Sequence, residues 1–173
     1  ALEGIERPGW DILRPPAVYG PGDAQTATLI DMLRARLAVM PAGARAQVSV
    51  LHVQDLVEAI LVWIRSGHAN FGTYEIGDPK QEGYSWSEVI DTLAAALNVK
   101  PLRITPPRPV LKALAYCLAG TARSLGKTPF LTPDKLGELW HSDWVVHDRR
   151  FEKDFDWSPA IDFAHGIRHT LKS

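Results

Sequence analysis

The stretch Ile12-Leu13-Arg14-Pro15-Pro16-Ala17-Val18-Tyr19-Gly20-Pro21-Gly22-Asp23 constrains the fold of this chain more than any other. It begins as a short apolar run, and its two prolines have no backbone N–H to give to a ladder. The strand must therefore end near Arg14 or lie where no donor is needed. Gly20-Pro21-Gly22 lets the chain reverse, and Asp23 has the side chain of a helix N-cap. Open α/β sheets bind their ligands where a buried strand runs into such a turn before a helix. The sequence thus predicts an α/β fold with a ligand near the end of this strand.

Downstream, strand and helix patterns alternate. Apolar residues at helical spacing (Leu29, Ile30, Leu33, Leu37) predict a helix from Asp23 to about Met40, stopped by Pro41-Ala42-Gly43. Gln47 to His52 reads as one strand. Asp55 is the expected cap of a helix through Arg65, apolar nearly all round, which predicts burial on more than one side. Thr73 to Ile76 reads as a strand, and Ser85 with Glu88 opens a helix by a capping-box pattern. Leu102 to Thr105 reads as a strand, Val110 to about Leu125 as an apolar helix, and Thr132-Pro133 as the start of a short one. Val145-Val146 is expected to pair briefly, Arg149 to Phe155 to be helical, and Asp162 to cap a last helix to Leu171. The alternation argues parallel pairing. Trp10 to Arg14 reads as a strand after the turn Glu6-Arg7-Pro8-Gly9. A chain that opens on its central strand reads as a fragment.

Several function classes are excluded or disfavoured by composition. A formal charge of -1 gives no basic field for nucleic acid. The single cysteine, Cys117, excludes an internal disulfide and a cysteine-rich metal site, and fits a reducing, cytoplasmic setting. The start Ala1-Leu2-Glu3-Gly4 has neither a basic nor an apolar leader pattern. The run Val110–Ala119 is about half the roughly 20 residues a spanning helix needs, so no membrane span is expected. His165 and His169 stand i,i+4, but without a third ligand they read as a solvated face, and no metal site is expected.

Four segments in order resemble the extended short-chain dehydrogenase/reductases, the NAD-dependent epimerase/dehydratase family with its hydroxysteroid-dehydrogenase-like members. They are the Arg14–Gly22 segment, Val50-Leu51-His52-Val53-Gln54-Asp55, Tyr74-Glu75-Ile76-Gly77-Asp78, and Asp156-Trp157-Ser158-Pro159 followed by Gly166 and Leu171. The resemblance implies an α/β fold: the C-terminal part of a Rossmann-type doubly wound sheet plus a smaller mixed α/β substrate-binding domain. Residues 1–173 would be the C-terminal substrate-binding portion, with the N-terminal dinucleotide-binding part absent from the chain. It also implies NAD or NADP as cofactor, a small-molecule substrate, the missing N-terminal half as partner, and room for a homodimer.

In that family the Pro15, Pro16, Ala17 and Val18 backbone would lie against the nicotinamide, and Ala17, Tyr19, Arg45 and Val48 would border the substrate. His52 and Asp55 are expected to cap the helix and tie the turn. No Gly-rich dinucleotide fingerprint occurs, and no Tyr-x-x-x-Lys, since Tyr19, Tyr74, Tyr84 and Tyr116 precede Asp23, Asp78, Glu88 and Gly120 by four residues. No catalytic residue is therefore assigned within the chain. Nucleotide-sugar members place an Asn where Ala17 stands, an Arg where Val48 stands, and an Arg-x-Gly-Asp where the nearest match is His141-Ser142-Asp143. A diphosphate wants such cations and donors. With the apolar Val110–Ala119 run, this favours an oxidoreductase or epimerase acting on an apolar hydroxy or keto substrate. A nucleotide-sugar epimerase/dehydratase and a non-catalytic substrate lid or interaction module are the alternatives.

Overall fold

The computed structural model describes residues 9–40, 43–113, 116 and 142–172. In chain order the elements are β1 (Ile12–Arg14), β2 (Ala17–Tyr19), α1 (Ala24–Arg34), β3 (Leu37–Val39), β4 (Gln47–Val48), β5 (Val50–His52), α2 (Val53–Ser66), β6 (Thr73–Glu75), β7 (Tyr84–Ser85), α3 (Trp86–Leu97), β8 (Leu102–Ile104), β9 (Asp143–Trp144), α4 (Arg150–Asp154) and α5 (Phe163–Thr170). They fall into two compact units. One comprises Ala1–Thr26, Val48–Gly83 and Val145–Ser173, the other Ala27–Gln47 and Tyr84–Trp144.

In the first unit the prolines divide the opening strand and change its partner. Before them, β1 pairs in parallel with β6, from Ile12↔Thr73 to Arg14↔Glu75. After them, β2 pairs in parallel with β5, from Ala17↔Val50 to Tyr19↔His52. The Ile76 N–H still donates to the Arg14 carbonyl at 3.4 Å, but the Asp78 N–H donates to the Val50 carbonyl at 3.1 Å. The chain after β6 has left the opening strand and lies on β5. The pair splays at the two residues that have no N–H to hold it closed, and β5 enters the gap.

The core of this unit joins Leu51, Ala59, Tyr74, Ile76, Phe151, Phe155 and Trp157, with Leu13, Leu56, Val62 and Trp63 packed against them. Its rings meet edge-on or tilted: Tyr74 and Phe151 are 5.6 Å apart, Phe151 and Phe155 4.7 Å. Trp157 is thus a core residue. The expected strand from Gln47 to His52 is broken at Ser49, which is buried and accepts from the Val146 N–H at 3.0 Å. The expected pairing at Val145-Val146 falls two residues earlier, at Asp143–Trp144. Asp11 ties the end of α2 back to β1. Its carboxylate accepts from Trp63 Nε1 at 2.7 Å, the Gly72 N–H at 2.8 Å and the Asn70 N–H at 3.2 Å. Burial opposes its charge, but those three donors hold its carboxyl below the usual range.

Helix α2 starts at Val53, capped by His52 rather than by Asp55: His52 Nδ1 accepts from the Gln54 N–H at 3.3 Å. Asp55 ties the turn instead, accepting from the Ile161 N–H at 2.9 Å. Leu56, Ala59, Val62 and Trp63 face the core. The expectation that this helix is buried on more than one side fails, because Val57, Ile60 and Ile64 are exposed.

In the second unit, α1 ends at Arg34, not at Met40. Arg36 turns the chain with a left-handed φ of 59°. Leu37–Val39 then pairs in parallel with β8, flanked by Leu102 N–H to Arg36 carbonyl and Met40 N–H to Ile104 carbonyl bonds of 2.8 and 2.9 Å. Leu37 fits both the helical and the extended period, and the partner strand decides between them. Helix α3 follows the sequence closely. Ser85 and Glu88 form the capping box, Val89, Ile90, Leu93 and Ala94 are buried, and Asn98 closes it at φ 53°. Residues 108–113 are helical; the rest of the predicted 110–125 helix, apart from Tyr116, and the predicted helix at Thr132-Pro133 lie outside the described residues. No helix among the described residues is long and apolar enough to cross a membrane.

Candidate functional site

The expected site residues lie around the proline break. Pro15 and Ala17 present exposed side chains, while Pro16 and Val18 are half-buried. Together they make an accessible apolar strip just past the C-terminal end of β1, where its neighbours change. Two of the four have no N–H, and none has a polar side chain. The Asp23 N–H returns to the Gly20 carbonyl at 3.2 Å, and Asp23 caps α1 by accepting from the Thr26 N–H at 2.7 Å. Gly20 is required by close approach, since a Cβ there would sit 2.6 Å from Val53 Cγ1.

Tyr19 is buried rather than lining an open pocket. Its hydroxyl makes a long bond to the Asp162 carbonyl, 3.4 Å, and its ring meets Phe163 and His52 edge-on at 5.1 and 5.2 Å. A Cβ on Gly166 would overlap the Tyr19 hydroxyl and come within 2.9 Å of His52 Cδ2. Helix α5 can approach the ends of β2 and β5 only because Gly166 has no side chain. Val48 is half-buried, and Arg45 is exposed in a turn of the other unit. Tyr19 is thus gathered with His52, Phe163 and Gly166, and Ala17 stands opposite Val50 in register.

His52 is wholly buried, and its Nε2 has no hydrogen-bond partner among the described residues. Because Nδ1 accepts the Gln54 N–H, the neutral ring carries its proton on Nε2. Burial pushes its pKa below the usual histidine value. Asp55 works the other way, and His169 and His165 add to the lowering. His165 and His169 are exposed, as expected, but the His169 ring also lies 5.8 Å from His52, edge-on. Sequence reasoning saw His52 and Gly166 but not Phe163 between them; the apolar residue directly after the Asp162 cap was its only signal. Among the described residues no group of three metal-ligating side chains converges.

No protein-family model matches the chain. The fold is that of the NAD-dependent epimerase/dehydratase enzymes, mixed α/β with parallel strands, as the motifs led one to expect. The dTDP-glucose 4,6-dehydratase of Bacillus anthracis, solved with NAD, aligns over 94% of this chain and 43% of its own, with a TM-score of 0.63 and 16% identity. The UDP-glucose 4-epimerase of Thermus thermophilus, also solved with NAD, aligns over 95% and 46%, with a TM-score of 0.61 and 21% identity. Among curated proteins the chain is similar to the ceramide reductase of Caulobacter vibrioides, 35% identical over 136 residues. It spans 42% of that protein's length.

Proposed function

We propose that the chain is the substrate-binding portion of a longer NAD(P)-dependent oxidoreductase of the epimerase/dehydratase class, acting on an apolar, lipid-like hydroxy or keto compound. The observation that carries this reading is the exposed apolar strip Pro15–Val18 at the point where the opening strand changes partners. Open parallel sheets bind their ligands outside the carboxyl ends of their strands, and the strip lies just past that end of β1. The strip fits the nicotinamide end of a dinucleotide, since it offers a flat apolar surface and carbonyl acceptors but no cation. The pyrophosphate would be held by residues of the N-terminal dinucleotide-binding part. NAD or NADP would supply hydride acceptance or donation, and the work of Pro15, Pro16, Ala17 and Val18 would be to seat the ring and keep water from it.

The substrate class rests on two supports. Ala17 and Val48 carry neither charge nor side-chain donors, and a diphosphate buried beside them would go unpaired. The 35%-identical relative is named for reduction of a ceramide, an apolar lipid. A nucleotide sugar is the second reading, favoured by solved neighbours whose names carry UDP- and dTDP-sugars.

Calorimetric titration of the full polypeptide with NAD and NADP, and then with ceramide-like lipids beside UDP- and dTDP-sugars, tests both readings. Dinucleotide and lipid binding in the micromolar range are expected. Ala17→Asp should weaken one or both at least tenfold by placing a charge on the apolar strip. Micromolar binding of a nucleotide sugar, lost on Arg45→Ala, would turn the assignment to the second reading. A polypeptide that binds neither dinucleotide would leave a lid or interaction module.

A further inference from the structure

His52 sits at the corner where β2, β5, α2 and α5 meet. Its side chain is wholly buried, and Nε2 has no hydrogen-bond partner among the described residues. A buried polar group left unpaired is uncommon and costs stability. The ring is faced from three elements. On β2 it meets the Tyr19 ring edge-on at 5.2 Å. On α2 its charged neighbour is Asp55, in the first turn. On α5 it meets Gly166, where a Cβ would lie 2.9 Å from His52 Cδ2, and the His169 ring at 5.8 Å. His165 stands one turn before His169, and Asp162, exposed at the helix start, is spent on its own cap by accepting from the His165 N–H at 2.8 Å. Burial above all disfavours a charge on His52. Asp55 favours it, and His169 and His165 oppose it.

The cover over this corner is small and lightly held. Helix α5 has eight residues, of which Phe163, Gly166 and Ile167 are buried. The strap that brings it in runs from Trp157, a core residue, to Asp162. Midway along the strap, the Ile161 N–H donates to Asp55 at 2.9 Å. An open cleft of about 390 Å³ lies between Ala160-Ile161 and the first turns of α2, so the strap has room to move there. Asp55 thus has two claims on it. It anchors the strap, and it is the carboxylate that favours a charge on His52.

We propose that α5 is an acid-released latch: when His52 takes up a proton, the helix lifts from the ends of β2 and β5 and uncovers Tyr19. An imidazolium has two N–H donors and no acceptor. Nδ1 then loses the Gln54 N–H, and Nε2 still lacks a partner in the closed site. Opening answers both faults. Water reaches the ring, Asp55 is released from Ile161 to face it, and His165 and His169 move away with their helix. The direction follows from linkage. Burial holds His52 below the ordinary histidine value of about 6.5 while α5 is closed, and opening returns it toward that value. The hold is therefore complete above about 6.5 and declines as pH falls toward the lower closed-state value. Tyr19 ends the strand that carries Ala17 and Val18. Under the proposed function, on which this one consequence rests, acid therefore weakens dinucleotide binding at the strip.

Hydrogen exchange of the full polypeptide at pH 7.5 and pH 5, corrected for the intrinsic rate, reads the latch. The peptide spanning Phe163 to Thr170 should lose protection at least about tenfold at pH 5 relative to α3. His52→Asn keeps an acceptor for the Gln54 N–H but has nothing to charge, and it should hold α5 equally closed at both pH values. His169→Asn, at an exposed position, should shrink the response. An α5 that keeps pace with α3 in the unmutated polypeptide would overturn the latch, as would the same acid opening in His52→Asn. Should His52→Asn not fold, an NMR titration of His52 in the unmutated polypeptide decides. Its midpoint should coincide with that of α5 opening, and a separate midpoint would equally overturn the latch. Titration with NAD and NADP at the two pH values reads the consequence at the strip: affinity should fall several-fold at pH 5, and equal affinity with an open α5 would overturn that link. A polypeptide that binds neither dinucleotide yet opens α5 through His52 would sink the proposed function and leave the latch standing.

Discussion

Helices α2 and α3 are built by similar local rules and end in different states. Each starts on a side chain that accepts a backbone N–H, His52 for one and Ser85 for the other. Each closes on a left-handed residue, Gly67 at φ 69° and Asn98 at φ 53°. Helix α3 carries one apolar stripe, and Val89, Ile90, Leu93 and Ala94 bury it. Helix α2 carries apolar residues on two sides and, among its residues, buries only Asp55 and Ala59 fully. Both form; α2 is left with apolar surface that its own unit does not use. Local signals decide where a helix begins and ends, whereas the packing around it decides how much of its apolar surface is buried.

The comparison is sharpened most by Leu93→Ala. Leu93 is fully buried in α3, and truncating it should cost about 2–5 kcal/mol in urea unfolding, transfer and cavity terms together. A loss below about 1 kcal/mol would mean that α3 is less committed to its core than its burial implies. Next in size is Gly166→Ala, which forces a methyl group onto the Tyr19 hydroxyl and His52 just where α2 starts. About 1–3 kcal/mol of overpacking is expected, read in the same assay. Unchanged stability there would show that α5 can slide without disturbing the start of α2.

Acid should separate the two helices as well. The depressed pKa of His52 means that the unfolded chain takes up the proton first. Its contribution is complete above the ordinary histidine pKa of about 6.5 and is lost as pH falls through the lower folded value. Protonation also takes the Nδ1 lone pair from the Gln54 N–H. Asp11, depressed in its turn, is lost only below the ordinary carboxylate value of about 3.9, and with it the anchor on Trp63. Hydrogen exchange followed from pH 7 down to pH 4 should loosen the first turn of α2 before that of α3, and the reverse order would count against His52 as the titrating cap. The smallest effect belongs to Ile64→Ala. Ile64 is exposed, and its truncation should move stability by no more than about 0.5 kcal/mol in urea unfolding.

The sequence signals that survived contact with the structure were those set by a few adjacent residues. The capping box at Ser85, the cap at Asp162, the proline break and the parallel α/β alternation all depend on local chemistry, and all are seen. What depended on a distant partner was misread. Leu37 to Val39 follows the left-handed turn at Arg36 and belongs to a strand because Leu102 to Ile104 stands beside it. Asp55 lies inside the first turn of α2, past the His52 cap, and ties the turn by accepting from the Ile161 N–H, 106 residues away. The candidate site was legible in the same uneven way. The strand ends at Arg14, as the two prolines required, while Tyr19 is packed among His52, Phe163 and Gly166, a meeting of three separate stretches that spacing could not reveal.

The two compact units exchange the chain four times, at 26–27, 47–48, 83–84 and 144–145. This has a consequence for the order in which the molecule can be made. The sheet of the first unit is begun by Ile12 and finished by Phe151, Phe155 and Trp157. As the ribosome delivers the chain from its N-terminus, β1, β2, β5 and β6 emerge well before the rings that close their core. Through that interval the strands have partners but no lid. Contacts across so long a stretch of sequence form slowly, and half-covered parallel strands invite association with other chains. Synthesis of the segment that carries Phe151, Phe155 and Trp157, not of the motif at Ile12 to Gly22, is the step at which the core of this unit can close.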